Sequence, residues 1–289
     1  MLTTSDILRQ VRRLEIRTKG LSQHMFAGDY HSAFKGRGMS FSEVREYTPG
    51  DDVKSIDWNV TARLRTPYIK VFEEERELTV MLLIDVSASS FFGTVRRTKR
   101  SLAAELAAVL AFSASLNGDK VGAVLFAGGV EKIIRPGKGR SHLLRIVREA
   151  IALEPARTAG TDLNAPLRFL NTGLKRRSVV FLISDFISPP YDATLRLAAR
   201  RHDLIGLRVW DRADRDLPRL GLVEASDPET GIRAWVDTEH GATRAAYAKN
   251  FDAWQAYAQN SFRQSGADLL SLRTEEDYVP ALHRFFAGR

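Results

Sequence analysis

Two continuous apolar runs, residues 78–84 (LTVMLLI) and 179–183 (VVFLI), constrain this chain more than any other feature. A strand with one wet face alternates apolar and polar residues, so an unbroken run must be covered on both faces. Helical periodicity surrounds these runs, at 98–116, 141–152, 165–170, 194–201, 243–265 and 275–286. The first of these segments is Ala-rich and apolar over most of its circumference, which predicts a buried helix. Further strand-like runs lie at 121–126, 130–134, 204–210 and 267–272, and Ala127-Gly128-Gly129 between the first two predicts an antiparallel hairpin. Strands alternating with helices predict an α/β fold, a doubly wound, mostly parallel, Rossmann-like sheet with right-handed crossovers.

The remainder of the chain is organised differently. Ile7, Leu8, Val11 and Leu14 recur at helical spacing behind a cap at Ser5 or Asp6, and Gly20 is expected to end that helix. From Gly28 onward the sequence is turn-rich, with Gly36, Gly38, Pro49, Gly50, Asp51 and Asp52 between short runs at 39–47 and 68–72, and an acidic stretch follows at 73–77. Within it Pro49 to Asp52 read as a turn, Asp57 as a cap and Trp58 as a core anchor. A second hairpin is expected at 222–225 and 232–236, around Ser226-Asp227-Pro228-Glu229-Thr230-Gly231. The expected division is an N-terminal helix at 1–27, a small β-rich subdomain at 28–77 completed by the hairpin 217–238, and an α/β domain at 78–289.

Composition narrows the function. The chain has no cysteine, which excludes disulfide scaffolds, thiolate metal sites and cysteine nucleophiles. Six scattered histidines lack metal-ligand spacing, so zinc is not expected. No apolar run approaches the roughly 20 residues of a membrane span, and no signal peptide is visible, so a cytoplasmic protein is expected. Lys and Arg exceed Asp and Glu by 43 to 35, a net charge of +8, which suits nucleic acid, an anionic membrane or an acidic protein partner. The basic clusters, Arg96, Arg97, Lys99 and Arg100, and 175–177, sit beside helices without interleaved aromatics. Nucleic-acid binding is therefore the alternative rather than the leading reading.

Chemistry concentrates after the first apolar run, at Asp85-Val86-Ser87-Ala88-Ser89. The carboxyl end of a central strand is where doubly wound sheets bind ligands. Oxygen-bearing side chains at i, i+2 and i+4 converge if the loop curls, and such hard donors suit Mg²⁺. Thr161, in Gly160-Thr161-Asp162, and Asp185, directly after the second apolar run, are further candidates. A dehalogenase-type phosphatase would need a second acid where Ser87 stands, a G-x-S-x-G elbow is absent, and no acidic pair of receiver type occurs in the right order. The reading is non-enzymatic, with a metal-dependent hydrolase as the enzyme alternative.

Asp85, Ser87, Ser89, Thr161 and Asp185 together resemble the metal-ion-dependent adhesion site of von Willebrand factor A domains. That resemblance implies that the five residues hold Mg²⁺, with Mn²⁺ or Ca²⁺ as alternatives, and that an acidic side chain of a partner completes the coordination. A second resemblance spans most of the chain. Gly36 to Phe41, Arg45 to Asp52, Ile56-Asp57-Trp58, Thr61-Ala62-Arg63 and Asp227 to Gly231 are similar to the signature of the domain of unknown function family 58. It implies a von Willebrand factor A domain with a β-rich insertion and a MoxR-type AAA+ ATPase as partner. The function implied is that of an adaptor in chaperone-like assembly, with a client protein offering Asp or Glu to the metal. Many members carry a membrane anchor that this sequence lacks, which implies a soluble version, and Ser90 replaces the family's usual Met. Asp85, Asp162 and Asp185 are expected to make the working face acidic while the positive surplus lies elsewhere.

Overall fold

A computed structural model describes residues 4–21, 40–73, 77–155 and 160–289. The turn formers at Gly28, Gly36 and Gly38 and most of the acidic stretch at 74–76 lie outside them. The chain forms two compact units, a small one over Phe34–Leu78 and a larger one over Met1–Ala33 and Thr79–Arg289.

In the small unit β1 (Ser40–Glu46) pairs antiparallel with β2 (Tyr68–Glu73), with a bulge between Phe41 and Glu43. A short 3-10 turn, Val53–Ser55, and helix α1 of this unit's own, Trp58–Leu64, fill the connection. Asp52 and Asp57 cap these two elements through their side chains, as turn-and-cap chemistry predicts. Arg45 grips Asp51 through two hydrogen bonds of 2.9 and 2.7 Å. Trp58 departs from expectation. It is the first residue of its helix and 68% exposed, while Ile69 is the buried apolar position of the unit among the described residues.

The larger unit opens with the helix Thr4–Leu21, here α2, which passes the expected stop at Gly20 by one residue. Its sheet is built from β3 (Thr79–Asp85), β4 (Lys120–Phe126), β5 (Val130–Gly137), β6 (Val179–Ser184), β7 (Asp203–Trp210) and β10 (Asp268–Arg273). The spatial order is β10-β7-β6-β3-β4-β5, and every pair is parallel except β4 with β5. The chain leaves β3 to lay β4 on one side and later returns to lay β6 on the other. The switch point therefore falls at the carboxyl ends of β3 and β6.

The helices α3 (Lys99–Leu116), α4 (Arg140–Ala152), α5 (Asn164–Gly173), α6 (Asp192–Arg201), α7 (Gly241–Ser265) and α8 (Val279–Ala287) cover the sheet. Met81, Leu83, Val180 and Leu182 face one core with Leu167, Leu170, Leu195 and Phe262, so α5, α6 and α7 lie on that face. On the other face α3 packs against β3, β4 and β7, and Phe286 of α8 meets Phe181 edge-on at 6.2 Å. Residues 102–111 of α3 are buried without interruption because α2 and α4 close its outer side. The last helix starts four residues later than expected. Residues 274–277 form a turn, and Pro280 sits in the first helical turn, where its missing N–H costs nothing.

The second hairpin, β8 (Leu222–Ser226) with β9 (Arg233–Asp237), forms a two-stranded sheet of its own among the described residues and groups with the larger unit. The expected division assigned this hairpin to the small β-rich subdomain and set the opening helix apart, whereas both group with the larger unit by contact. Among the described residues, no helix is long and apolar enough to cross a membrane.

Candidate metal centre

The strand β3 delivers Asp85 as its last residue, and the ladder runs one step further through Val86 N–H to the Phe126 carbonyl, 2.8 Å. The chain then curls into a 3-10 turn, Ala88–Phe91. Ser90 locks that curl, its hydroxyl donating to the Ser87 carbonyl at 2.6 Å. The buried Arg100 guanidinium holds the loop from beneath by donating to the Val86 carbonyl at 2.8 Å and to the Leu153 carbonyl. The Ser90 hydroxyl is thus satisfied within the loop that it locks.

The curl brings four of the five candidates together. Asp85 Oδ1 accepts from Ser87 N–H at 2.9 Å, and Ser87 Oγ lies 3.0 Å from Ser89 Oγ. Ser89 Oγ in turn donates to Asp185 Oδ2 at 3.3 Å. Asp185 follows β6 directly, and the residue after it, Phe186, has φ 63°, an unusual left-handed conformation for a bulky side chain. Burial of the Phe186 ring against Phe262, 5.2 Å between centroids, holds that turn.

Thr161 is not joined to the other four. Its loop is tied to the end of β4 by Asp162 N–H donating to the Ala127 carbonyl at 2.8 Å. Its hydroxyl donates instead to Glu229 Oε1, 2.8 Å away, and its N–H to Glu229 Oε2 at 3.2 Å. Asp162 caps its own turn by accepting from Asn164 N–H.

Three residues at this centre escape a reading of spacing. Ser184 donates to Asp85 Oδ2 at 2.6 Å, so the Ile-Ser-Asp sequence supplies two groups rather than one. Lys99, in the first turn of α3, donates to Asp185 Oδ2 at 2.9 Å and lies 3.4 Å from Asp214 Oδ1. Glu229 comes from the β8–β9 turn. Lys99 stood out only as part of a basic cluster opening an otherwise apolar helix and Glu229 only as part of the turn Asp227 to Gly231, and nothing local tied either to this centre.

Charge is balanced differently from expectation. Of the basic cluster Arg96, Arg97, Lys99 and Arg100, the last two are buried while Arg96 is exposed and Arg97 half-buried, and with Arg208 also buried the centre is not simply acidic. Burial works against the Lys99 ammonium, but Asp185 and Asp214 outweigh it and hold its pKa above the ordinary lysine value. Burial lowers Arg100 to about 10 against the attraction of Asp85 and Glu154. Burial first, and Asp185 second, push the Asp85 carboxyl up to about 6, despite hydrogen bonds from Ser184 and Ser87.

That raised value bears on Mg²⁺. Asp85 has no Lys or Arg within ion-pair distance among the described residues, and the attraction of Arg100 does not offset its burial, so its ionised form would gain from a cation placed against it. The donors are all hard oxygens, as Mg²⁺ prefers. Among the described residues no three His, Asp or Glu side chains are arranged to hold a metal, so a cation here would use the hydroxyls of Ser87 and Ser89 and water. The set fits a hydrated Mg²⁺ rather than a fully dehydrated ion.

Comparison with known proteins gives a family. The family described as "Protein of unknown function DUF58" matches residues 43–257. Uncharacterized proteins of Mycobacterium tuberculosis and Mycobacterium bovis are each 35% identical over 282 residues, covering 96% of this chain and 88% of theirs. An uncharacterized protein encoded in the moxR 3′ region of Paracoccus denitrificans is 46% identical over 67 residues, 22% of this chain and 63% of that one. Among solved structures, BatB from Bacteroides thetaiotaomicron covers 73% of this chain and all of its own at 16% identity and a TM-score of 0.45. The SpRpn10 VWA domain covers 72% of this chain and 94% of its own at 14% identity and a TM-score of 0.41.

Proposed function

The chain belongs to the DUF58 family, and from that premise we propose that it is a non-enzymatic, cytoplasmic, Mg²⁺-dependent protein-binding adaptor that works with a MoxR-type AAA+ ATPase. The observation that carries the reading is the convergence of Asp85, Ser87, Ser89 and Asp185 at the switch point of the sheet. The location of a related protein in a moxR 3′ region supports the choice of ATPase.

In this reading Asp85, Ser87, Ser89 and Thr161 hold the cation directly or through water, and Asp185 accepts from that shell. Bound Mg²⁺ supplies a position at which an Asp or Glu of a client protein replaces a water. Ser184 fixes Asp85 Oδ2 and Ser87 N–H fixes Oδ1, so the carboxylate is oriented before any ion arrives. Lys99 offsets part of the charge of Asp185 and Asp214 and leaves the centre negative enough to favour a cation. A side chain held by two donors and flanked by Ser87 rather than a second acid is suited to binding rather than to proton transfer.

The test is capture of a purified MoxR-type ATPase from the same organism by the immobilised full chain. Capture with MgCl₂ is expected to disappear with EDTA and in Asp85→Ala, whose circular dichroism stays that of the parent chain. Capture that ignores both chelator and substitution overturns the reading.

A further inference from the structure

Glu229 sits in the turn between β8 and β9, where every neighbour from Asp227 to Gly231 is exposed and only Glu229 is half-buried. The turn is locked. Asp227 Oδ1 accepts from Glu229 N–H at 2.9 Å, Asp227 Oδ2 from the Thr230 hydroxyl at 2.6 Å, and the Asp227 carbonyl from Gly231 N–H at 2.8 Å. Gly231 takes φ 71°, which costs a glycine little.

This platform aims the carboxylate at one place, Thr161, which donates to both of its oxygens. Gly160 makes room for the approach, since a Cβ there would stand 3.2 Å from Glu229 Oε2. Among the described residues no Lys or Arg reaches ion-pair distance of Glu229. In a chain with a surplus of eight positive charges, a half-buried carboxylate with no cation partner among the described residues, beside the fifth candidate ligand, is out of balance.

We propose that Glu229 is this chain's own carboxylate for the cation site. The β8–β9 hairpin offers it in cis to the place an acidic side chain of a partner would take, so that a partner has to displace the hairpin. The inference rests on the Mg²⁺ reading of Asp85, Ser87, Ser89, Thr161 and Asp185. Its consequence is that Glu229 tightens cation binding, because the number of carboxylates around a hard cation tunes affinity, and that the bound cation in turn quiets the hairpin.

Two measurements on the full chain test it: Mn²⁺ binding, followed by the electron paramagnetic resonance of free Mn²⁺, and amide exchange across 226–232 with and without Mg²⁺. Mn²⁺ binding that is lost in Asp85→Ala is expected to weaken roughly 10–100-fold in Glu229→Gln, the range for losing a supporting ligand. Gln keeps an acceptor for Thr161, and unchanged circular dichroism and thermal midpoint verify its fold. Mg²⁺ is expected to slow exchange at the hairpin tip in the parent chain and not in Glu229→Gln. Asp85-dependent Mn²⁺ binding of equal affinity in Glu229→Gln, with hairpin exchange indifferent to Mg²⁺, overturns the role of Glu229 and leaves the metal site standing. Absence of Asp85-dependent binding in the parent chain overturns both.

Discussion

Replacing Lys99 with methionine tests the electrostatic account of the centre most sharply. The two chains have similar length and apolar stems, so the substitution removes the ammonium with little loss of packing. Lys99 and Asp185 side chains are each only 5% exposed and lie 2.9 Å apart, and Asp214 is 3.4 Å from the same nitrogen. Removing one partner of a buried pair leaves a stranded charge and costs about 3–5 kcal/mol. At about 2–4 °C per kcal/mol for a domain of this size, the midpoint should fall by roughly 6–20 °C. Urea unfolding at pH 7.5 in EDTA, followed by circular dichroism, measures the cost. If the stranded carboxylates are its cause, Lys99→Met with Asp185→Asn should recover at least ~1 kcal/mol relative to Lys99→Met alone, the lower range for coupled neighbours. MgCl₂ should also stabilise Lys99→Met more than the parent chain, because the competing ammonium is gone. A cost below ~1 kcal/mol, or a double variant no more stable than Lys99→Met, would refute the reasoning.

Asp85 gives a pH signature in EDTA. Its carboxyl is raised from the ordinary range to about 6, so between pH ~4 and ~6 the folded chain holds a proton that the unfolded chain has released. Stability from this group therefore falls as pH rises through that window, by up to roughly 3 kcal/mol, and Asp85→Asn should flatten the decline in urea unfolding curves. Asp211 acts in the opposite sense. Burial works to raise it, but hydrogen bonds from Thr274, Ala213 and Thr94 hold it below the usual carboxylate range. It ties the ends of β7 and β10 to the loop before α3, so Asp211→Ala should cost about 2–4 kcal/mol in the same assay, with the charge-dependent part of the loss shrinking in acid as the carboxylate is protonated.

The α/β architecture was legible because its signals are local. An unbroken apolar run such as 179–183 can only be a strand covered on both sides, and all six residues of β6 are buried. The position of Asp85 at a strand's carboxyl end followed from the same pattern, and the loop after it joins Ser87 and Ser89 to Asp185 by hydrogen bonds. Trp58 shows the limit of that logic, since a large aromatic in a two-turn helix has no period to say which side is covered, and it is exposed.

The partners of charged groups were decided elsewhere. Lys99 reaches Asp185 across 86 residues of sequence, and Thr161 reaches Glu229 across 68. Periodicity fixes which face of an element turns inward but carries no information on which other element will lie opposite. The sequence by itself determined a doubly wound sheet with oxygen donors at its switch point. Only the tertiary structure buried Lys99 and Arg100 of an apparent surface cluster and brought a hairpin carboxylate to Thr161, because ion pairing inside a protein depends on distances that the packed layers alone set.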